Sequence, residues 1–293
     1  MEVTVDRLAA RLDAARRRPW RAFVRRHPLL AVGGLLLVVV AMASLAAPWL
    51  APYDPTEMNA LQRLKPPSAQ HWFGTDALGR DVFSRTLWGG RVSLTVGIGV
   101  ALLATSIGVV IGLLSGFNRW ADAIVMRVMD GMMAIPGILL AVALMTLTRA
   151  SIGTVVLAIT VPEIPRVVRL VRSLVLSIRE QPYVQAAEAI GTRFHAILLR
   201  HVLPNTVTPL IVQATFICAS AVIFEAYLSF LGAGTPPEIP SWGNMMAEGR
   251  AVVQLAFGII LFPGLFLGLT VLSINLLGDG LRDLLDPRVA RRL

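Results

Sequence analysis

Cysteine, lysine and charge are all scarce in this chain of 293 residues. The one cysteine, Cys218, lies inside an apolar run, which excludes an intrachain disulfide and any metal site built on a cysteine cluster. The one lysine, Lys65, stands in Leu64-Lys65-Pro66, so no G-x-x-x-x-G-K-[ST] phosphate loop exists and the chain has no Walker A site. His27, His71, His195 and His201 form no H-E-x-x-H zinc motif. Gly112-Leu-Leu-Ser-Gly116 lacks the G-x-S-x-G spacing of a serine hydrolase, and Gly116 reads as a structural glycine at a helix end. The expectation is a non-catalytic chain with no cofactor or metal of its own.

What is present is apolar. Hydrophobic residues make up 55% of the chain and charged residues 15%, against about 25% charged in soluble domains. The sequence therefore reads as an all-α integral membrane protein. A net charge of +9 points to nucleic acid in a soluble chain, but here the arginines cluster at the ends of apolar runs, as membrane topology signals do. Nucleic acid is excluded as a partner and membrane lipid is expected.

Arg7, Arg11, Arg16, Arg17, Arg18, Arg21, Arg25 and Arg26 precede an uncharged run from Leu29 to Leu50. That run is too long for the apolar core of a secretory signal, about 7–15 residues, and it predicts a retained first span over 29–51 behind a cytoplasmic segment 1–28. Five further spans are expected near 92–117, 123–147, 151–173, 205–231 and 255–279, since about 20 apolar residues cross a bilayer. Arg127 and Asp130 enter the third span, three apart on one helix face, where they are expected to pair. Pro162, Glu163, Pro165 and Arg166 interrupt the fourth. Six crossings place both termini in the cytoplasm, where Arg282, Arg288, Arg291 and Arg292 agree with the positive-inside bias. The core is thus 92–279 and the C-terminal tail 280–293.

Two polar segments fall on the outer side. The first, 52–91, carries His71-Trp-Phe-Gly-Thr-Asp76 and Leu78-Gly-Arg-Asp-Val-Phe-Ser-Arg85. Its Trp72, Asp76, Arg80 and Asp81 either meet a partner on that face or form a folded cap through mutual hydrogen bonds. The second, from Gly232 to about Val253, is held extended by Pro236, Pro237 and Pro240, and its Trp242 is expected at the headgroup level. Within the spans, Glu225 is too costly to leave unpaired, so it faces a pore, a partner helix or water, and contact with a solute stays open beside helix pairing. Asn275 suits a helix–helix hydrogen bond.

The inner segment 174–204 holds Tyr183-Val-Gln-Ala-Ala-Glu-Ala-Ile-Gly191, then Arg200-His-Val-Leu-Pro-Asn205. Ala186, Ala187 and Ala189 favour a short helix of little bulk, Gly191 lets the chain reverse, and Pro204 marks the start of the next long helix. Such a hairpin fits flat into a partner's groove.

These residues resemble the permease subunits of bacterial ABC importers, in particular the C-type member of the dipeptide/oligopeptide/nickel group. The likeness covers about 29–288 and rests on the loop with Gln185-Ala186-Ala187, Glu188, Gly191, Leu203 and Pro204; on His71 to Arg85; on Glu225-Ala-Tyr-Leu-Ser-Phe-Leu-Gly232 with Ser241-Trp-Gly243; and on Asn275 to Arg288. Gln185 stands where the family's eponymous glutamate falls, which removes any salt bridge from that position. The resemblance implies a type I importer fold with a cytoplasmic coupling helix, in the bacterial inner membrane. It further implies a homologous second permease, two ABC ATPases that carry the ATP and magnesium and grip Tyr183–Gly191, and an extracytoplasmic binding protein at the outer face. Di- or oligopeptides are the expected cargo, with nickel or another small solute as the alternative. An ion-coupled secondary transporter is the competing class, and it predicts a half-to-half symmetry that the sequence does not display.

Overall fold

The structure, a computed structural model, describes residues 24–285. Arg7 to Arg21 at one end, and Arg288, Arg291 and Arg292 at the other, lie outside the described residues. Nine helices organise the rest: α1 (Pro28–Leu45), α2 (Val82–Phe117), α3 (Arg119–Ala134), α4 (Gly137–Thr146), α5 (Ile152–Arg179), α6 (Pro182–Ala189), α7 (Leu203–Phe230), α8 (Trp242–Gly249) and α9 (Gly258–Leu285). Among the described residues the only β pairing is an isolated bridge between Thr75 and Asp81.

The centre is the seam between α2 and α5, which run parallel. A Cβ added at Gly108, Gly112 or Gly116 would lie 2.5–2.7 Å from the Cβ of Val167, Val171 or Val175 respectively. Glycines four apart therefore remove side chains from one face of α2, and β-branched valines at the same spacing on α5 fill the space, as small-residue seams do in membranes. Gly116 is thus both the helix-end glycine expected, one residue before the last of α2, and part of the packing seam. The core continues through Val96, Val100, Val155 and Ile159 to Ile217, Ala221 and Leu228 of α7.

α7 runs antiparallel to α2, with Gly97 against Cys218 and Val222. α9 and α1 close the bundle as an antiparallel pair, where Gly33 meets Ser273 and Leu276 and Gly280 meets Leu30. Away from these seams Leu35, Val38, Met42, Leu102, Val110, Leu265 and Leu272 are exposed. Helices apolar on every side, with exposed leucines along their length, suit a lipid surround.

Among the described residues four helices are long and apolar enough to cross a membrane: α1, α2, α9 and the continuous rod Phe194–Phe230. The span expected at 123–147 is instead α3 and α4, bent by 89°. The cause is Pro136: the residue before a proline is pushed out of the α region, and Ile135 is extended at φ −93°, ψ 129°. The fourth expected span is unbroken; α5 continues for 28 residues through Pro162 and Pro165 to Arg179. It is long enough to cross but carries Glu163, Arg166, Arg169 and Arg172, so it falls outside the clean apolar set.

The expected Arg127–Asp130 pair does not form. Asp130 takes Arg169 at 2.6 Å across to α5, and Asp122 takes Arg172. Pro204 stands in the first turn of α7, as expected, but α7 is the later part of a longer continuous rod. The rod begins at Phe194 and passes through a π turn at Leu198–Val202 before α7. Proline lacks an N–H and clashes with the carbonyl four residues back; the wider π turn just before it opens the backbone there.

Candidate functional site

Because α2 and α5 run parallel, the bundle has two distinct polar ends. One end holds α6 and the start of α7, with the beginning of α1 and the end of α9 beside them. The other holds the 52–81 segment, the start of α2, and α8.

At the first end, Pro182 opens α6 at a position where its missing N–H costs nothing. Gly191 closes it. With φ +79°, Gly191 donates its N–H to the Glu188 carbonyl at 2.9 Å, and Thr192 donates to Ala187 at 3.0 Å. These two bonds form a Schellman ending, which calls for glycine at the left-handed position. A Cβ on Gly191 meets nothing within 4 Å, so it is held by backbone conformation and not by packing.

Val184 and Ala187 are the buried face of α6, turned toward the chain's own core. Ala187 is therefore not on the outward surface where the sequence reading placed a groove contact. The outward face is Tyr183, Gln185, Ala186, Glu188 and Ala189, with Ile190 83% exposed just beyond. Leu203 is half-buried and Pro204 exposed. The α6 turn is tied to α7 by Asn205, which donates to the His201 carbonyl at 2.6 Å and to the Tyr183 hydroxyl at 3.4 Å. Arg179 braces it from behind, bonding the Gly116 carbonyl at 3.0 Å and lying over the Phe117 ring. A short helix of small side chains is thus presented on a fixed base.

At the second end, the residues His71 to Arg85 fold into a cap. The Asp76 carboxylate accepts from the N–H groups of Leu78 (2.8 Å) and Arg80 (2.9 Å), from Arg80 Nε (2.6 Å) and from Arg85 Nη1 (3.0 Å). Asp81 caps α2 by accepting from the Ser84 N–H at 2.7 Å and holds His71 Nδ1 at 2.9 Å. Asp76, Arg80 and Asp81 are all buried, so their side chains serve the cap and offer no free surface. Trp72 does, at 60% exposure, while leaning on Phe83.

Trp242 departs from its expected headgroup position. It is fully buried, donating Nε1–H to the Thr86 carbonyl at 2.9 Å, beside Gly90 and Phe266. A wide ring fits there because Gly89 and Gly90 leave the face of α2 open. Behind it, Asn244 donates to the Thr235, Pro236 and Ile239 carbonyls and binds the proline-rich loop to α8.

The sequence reading missed two members of this end, Arg85 as a functional group and Glu248. Arg80 and Arg85 both donate to Glu248 of α8, so two carboxylates and two guanidiniums, three of them from residues 76–85 and one from α8, form one cluster. Burial pushes the Glu248 carboxyl up to about 7; Arg80 opposes the rise and Asp76 adds to it. Arg85 carried a signal in its place within the His71–Arg85 motif, but its partner lies 163 residues away and no local pattern announces it.

Between the ends, Glu225 is fully buried and accepts from Ser93 (3.1 Å) and Ser229 (2.9 Å). It joins α2 to α7. Asn275 is half-buried and makes no side-chain hydrogen bond among the described residues, contrary to the expected helix–helix bond.

The comparisons with known proteins agree with this architecture. Residues 108–291 match the family described as binding-protein-dependent transport system inner membrane component. Residues 16–67 match the N-terminal transmembrane domain of oligopeptide transport permease C. A probable peptide ABC transporter permease protein of Sinorhizobium fredii is 53% identical over 268 residues, 92% of each chain. A glutathione transport system permease protein of Pectobacterium atrosepticum is 42% identical over 272 residues, covering 92% of this chain and 90% of its own. A dipeptide transport system permease protein of Alkalihalophilus pseudofirmus is 41% identical over 275 residues, with the same coverage. The chain belongs to the binding-protein-dependent transport system inner membrane components, the non-catalytic, multi-pass permease subunits of ABC importers.

Proposed function

We propose that this permease imports di- or oligopeptides, paired with a homologous permease, and that α6 is the element through which two ABC ATPases drive it. ATP and magnesium belong to those ATPases, and an extracytoplasmic binding protein delivers the peptide to the cap end. Closure of the ATPase dimer displaces α6, and the helices resting on it pass the movement to the cap as a rigid body, the kind of transmission alternating access requires.

The observation that carries the reading is the shape of α6: eight residues, backed by buried Val184 and Ala187 and closed at Gly191, with Gln185, Ala186, Glu188 and Ala189 turned outward between Tyr183 and Ile190. The names of the relatives support peptides as the cargo. The test is to purify the chain with the subunits that accompany it, reconstitute them in vesicles, and add the binding protein encoded beside it. Loaded binding protein is expected to raise ATP hydrolysis and drive uptake of labelled peptides. Uptake of a nickel complex in place of peptides replaces the cargo; failure of any ATPase to co-purify overturns the importer reading.

A further inference from the structure

Beside the cap end lies a cleft of about 480 Å3, open to solvent, between the last turn of α7 and α8. Ser229, Phe230, Thr235, Asn244, Glu248 and Arg250 are among the residues that line it. Its volume is within the range of small-molecule sites, and its loop wall is held by the bonds from Asn244 described above. The two charged groups in the wall are not equivalent. Glu248 is committed, because both Arg80 and Arg85 donate to it. Arg250 is uncommitted: its guanidinium lies over the Phe230 ring, 5.0 Å from the centroid, and it has no carboxylate partner among the described residues.

A guanidinium lying over an aromatic ring spends no N–H group on a carboxylate, and its fork of N–H donors matches a carboxylate with two parallel hydrogen bonds. Contact with the ring also restrains the side chain before a ligand arrives, which lowers the ordering cost of binding. We infer that this cleft receives the carboxylate end of the transported solute, with Arg250 as its anchor and Phe230 as the platform that holds the anchor. The inference rests on the peptide reading above and deepens it by naming the part of the peptide that is read. A solute carboxylate meets in Arg250 a guanidinium with no carboxylate partner among the described residues, since Glu248 is held by Arg80 and Arg85.

The test uses the importer with its partner subunits in lipid vesicles, without binding protein. Ala247, another wall residue, is changed to cysteine in a Cys218→Ser background, and maleimide labelling of this chain is followed while tri-alanine or tri-alanine amide is added. Tri-alanine is expected to protect the thiol. The amide, which lacks the charge, is expected to need about tenfold more or to fail, in line with a lost charge-assisted bond. Arg250→Gln should erase the difference between acid and amide, and Arg250→Lys should restore part of it.

Absence of protection by tri-alanine up to about 10 mM, well above ordinary half-saturation values, overturns the inference. So does equal protection by acid and amide, or full protection in Arg250→Gln. Labelling that slows in phosphatidylglycerol compared with phosphatidylcholine vesicles and ignores tri-alanine assigns Arg250 to a lipid phosphate and overturns it as well. Failure of the peptide reading is separate: it appears as no uptake and no ATPase stimulation with loaded binding protein, whatever the cleft does.

Discussion

Gly191 and Glu248 each state a physical requirement that a single substitution tests. Gly191 sits at φ +79° with open space around it, so a side chain there costs conformational energy, about 1–2 kcal/mol, and no steric clash within the chain. Asparagine tolerates the left-handed region and valine does not. Gly191→Asn is therefore expected to keep the ratio of peptide uptake to ATP hydrolysis, while Gly191→Val lowers it; equal ratios in the two variants would dissociate the left-handed turn from coupling. Glu248 predicts a pH dependence. Its carboxyl is raised to about 7 from 4.5 by burial, so between those values the folded state holds a proton that the unfolded chain has released. The stability due to this group is then fully present below pH about 4.5 and falls as pH rises through about 7. Melting temperatures of the purified protein from pH 5 to 8 should fall more steeply in the parent than in Glu248→Gln, and parallel curves would show that the cluster does not feel the proton.

At the scale of elements, the α2–α5 seam and the two faces of α6 make opposite demands. A Cβ on Gly112 lies 2.7 Å from that of Val171 and 3.0 Å from the Val168 carbonyl, so Gly112→Leu overpacks the seam at a cost of about 1–3 kcal/mol or more. Gly131→Ala on α3, with nothing within 4 Å, should stabilise by about 0.5–1 kcal/mol. Thermal unfolding in detergent compares them, and a neutral Gly112→Leu would mean the seam is looser than its geometry. For α6, arginine at Ala187 pushes into the chain's own core, so Ala187→Arg is expected to reduce the yield of folded protein. Ala186→Arg, on the outward face, should leave folding intact and reduce ATPase association. The reverse result would place the docking face on the other side of α6. The sequence made the short helix, its glycine stop and the long apolar rods legible, because glycine, alanine and uncharged runs act locally. The bend at Ile135-Pro136 was also readable in principle, but apolar residues on both sides masked it as one span. What stayed hidden depends on distant partners: Arg169 taking Asp130 from Arg127, Trp242 wedged against Gly89 and Gly90, and Glu248 closing the pair of arginines begun at Arg80 and Arg85. Neither propensity nor spacing encodes contacts made across 39 to 168 residues.

For the whole molecule, the packing directions reduce topology to one choice. α2 and α5 run the same way, α7 runs against them, and α1 pairs antiparallel with α9 where Leu30 meets Gly280. The described ends of the chain therefore share one end of the bundle with α6, and the cap and α8 share the other. The charge at the two ends differs. Arg25, Arg26, Arg119, Arg179, Arg193, Arg200 and Arg282 lie toward the α6 end, against Arg63, Lys65, Arg91, Arg149 and Arg250 toward the cap end, where Arg80 and Arg85 are paired with Asp76 and Glu248. Positive residues favour the cytoplasmic side, so the α6 end is predicted to face the cytoplasm and Trp72 the outside. In a Cys218→Ser background, a membrane-impermeant maleimide added to intact cells should label Trp72→Cys and spare Glu188→Cys, and inverted vesicles stripped of the ATPases should give the opposite pattern. Labelling of Glu188→Cys in intact cells would turn the molecule over and detach α6 from any cytoplasmic ATPase. If both positions labelled from the same side, the broken α3–α4 pair or the charged α5 would have to be withdrawn as a crossing, because an odd change in span number is what moves α6 relative to the cap.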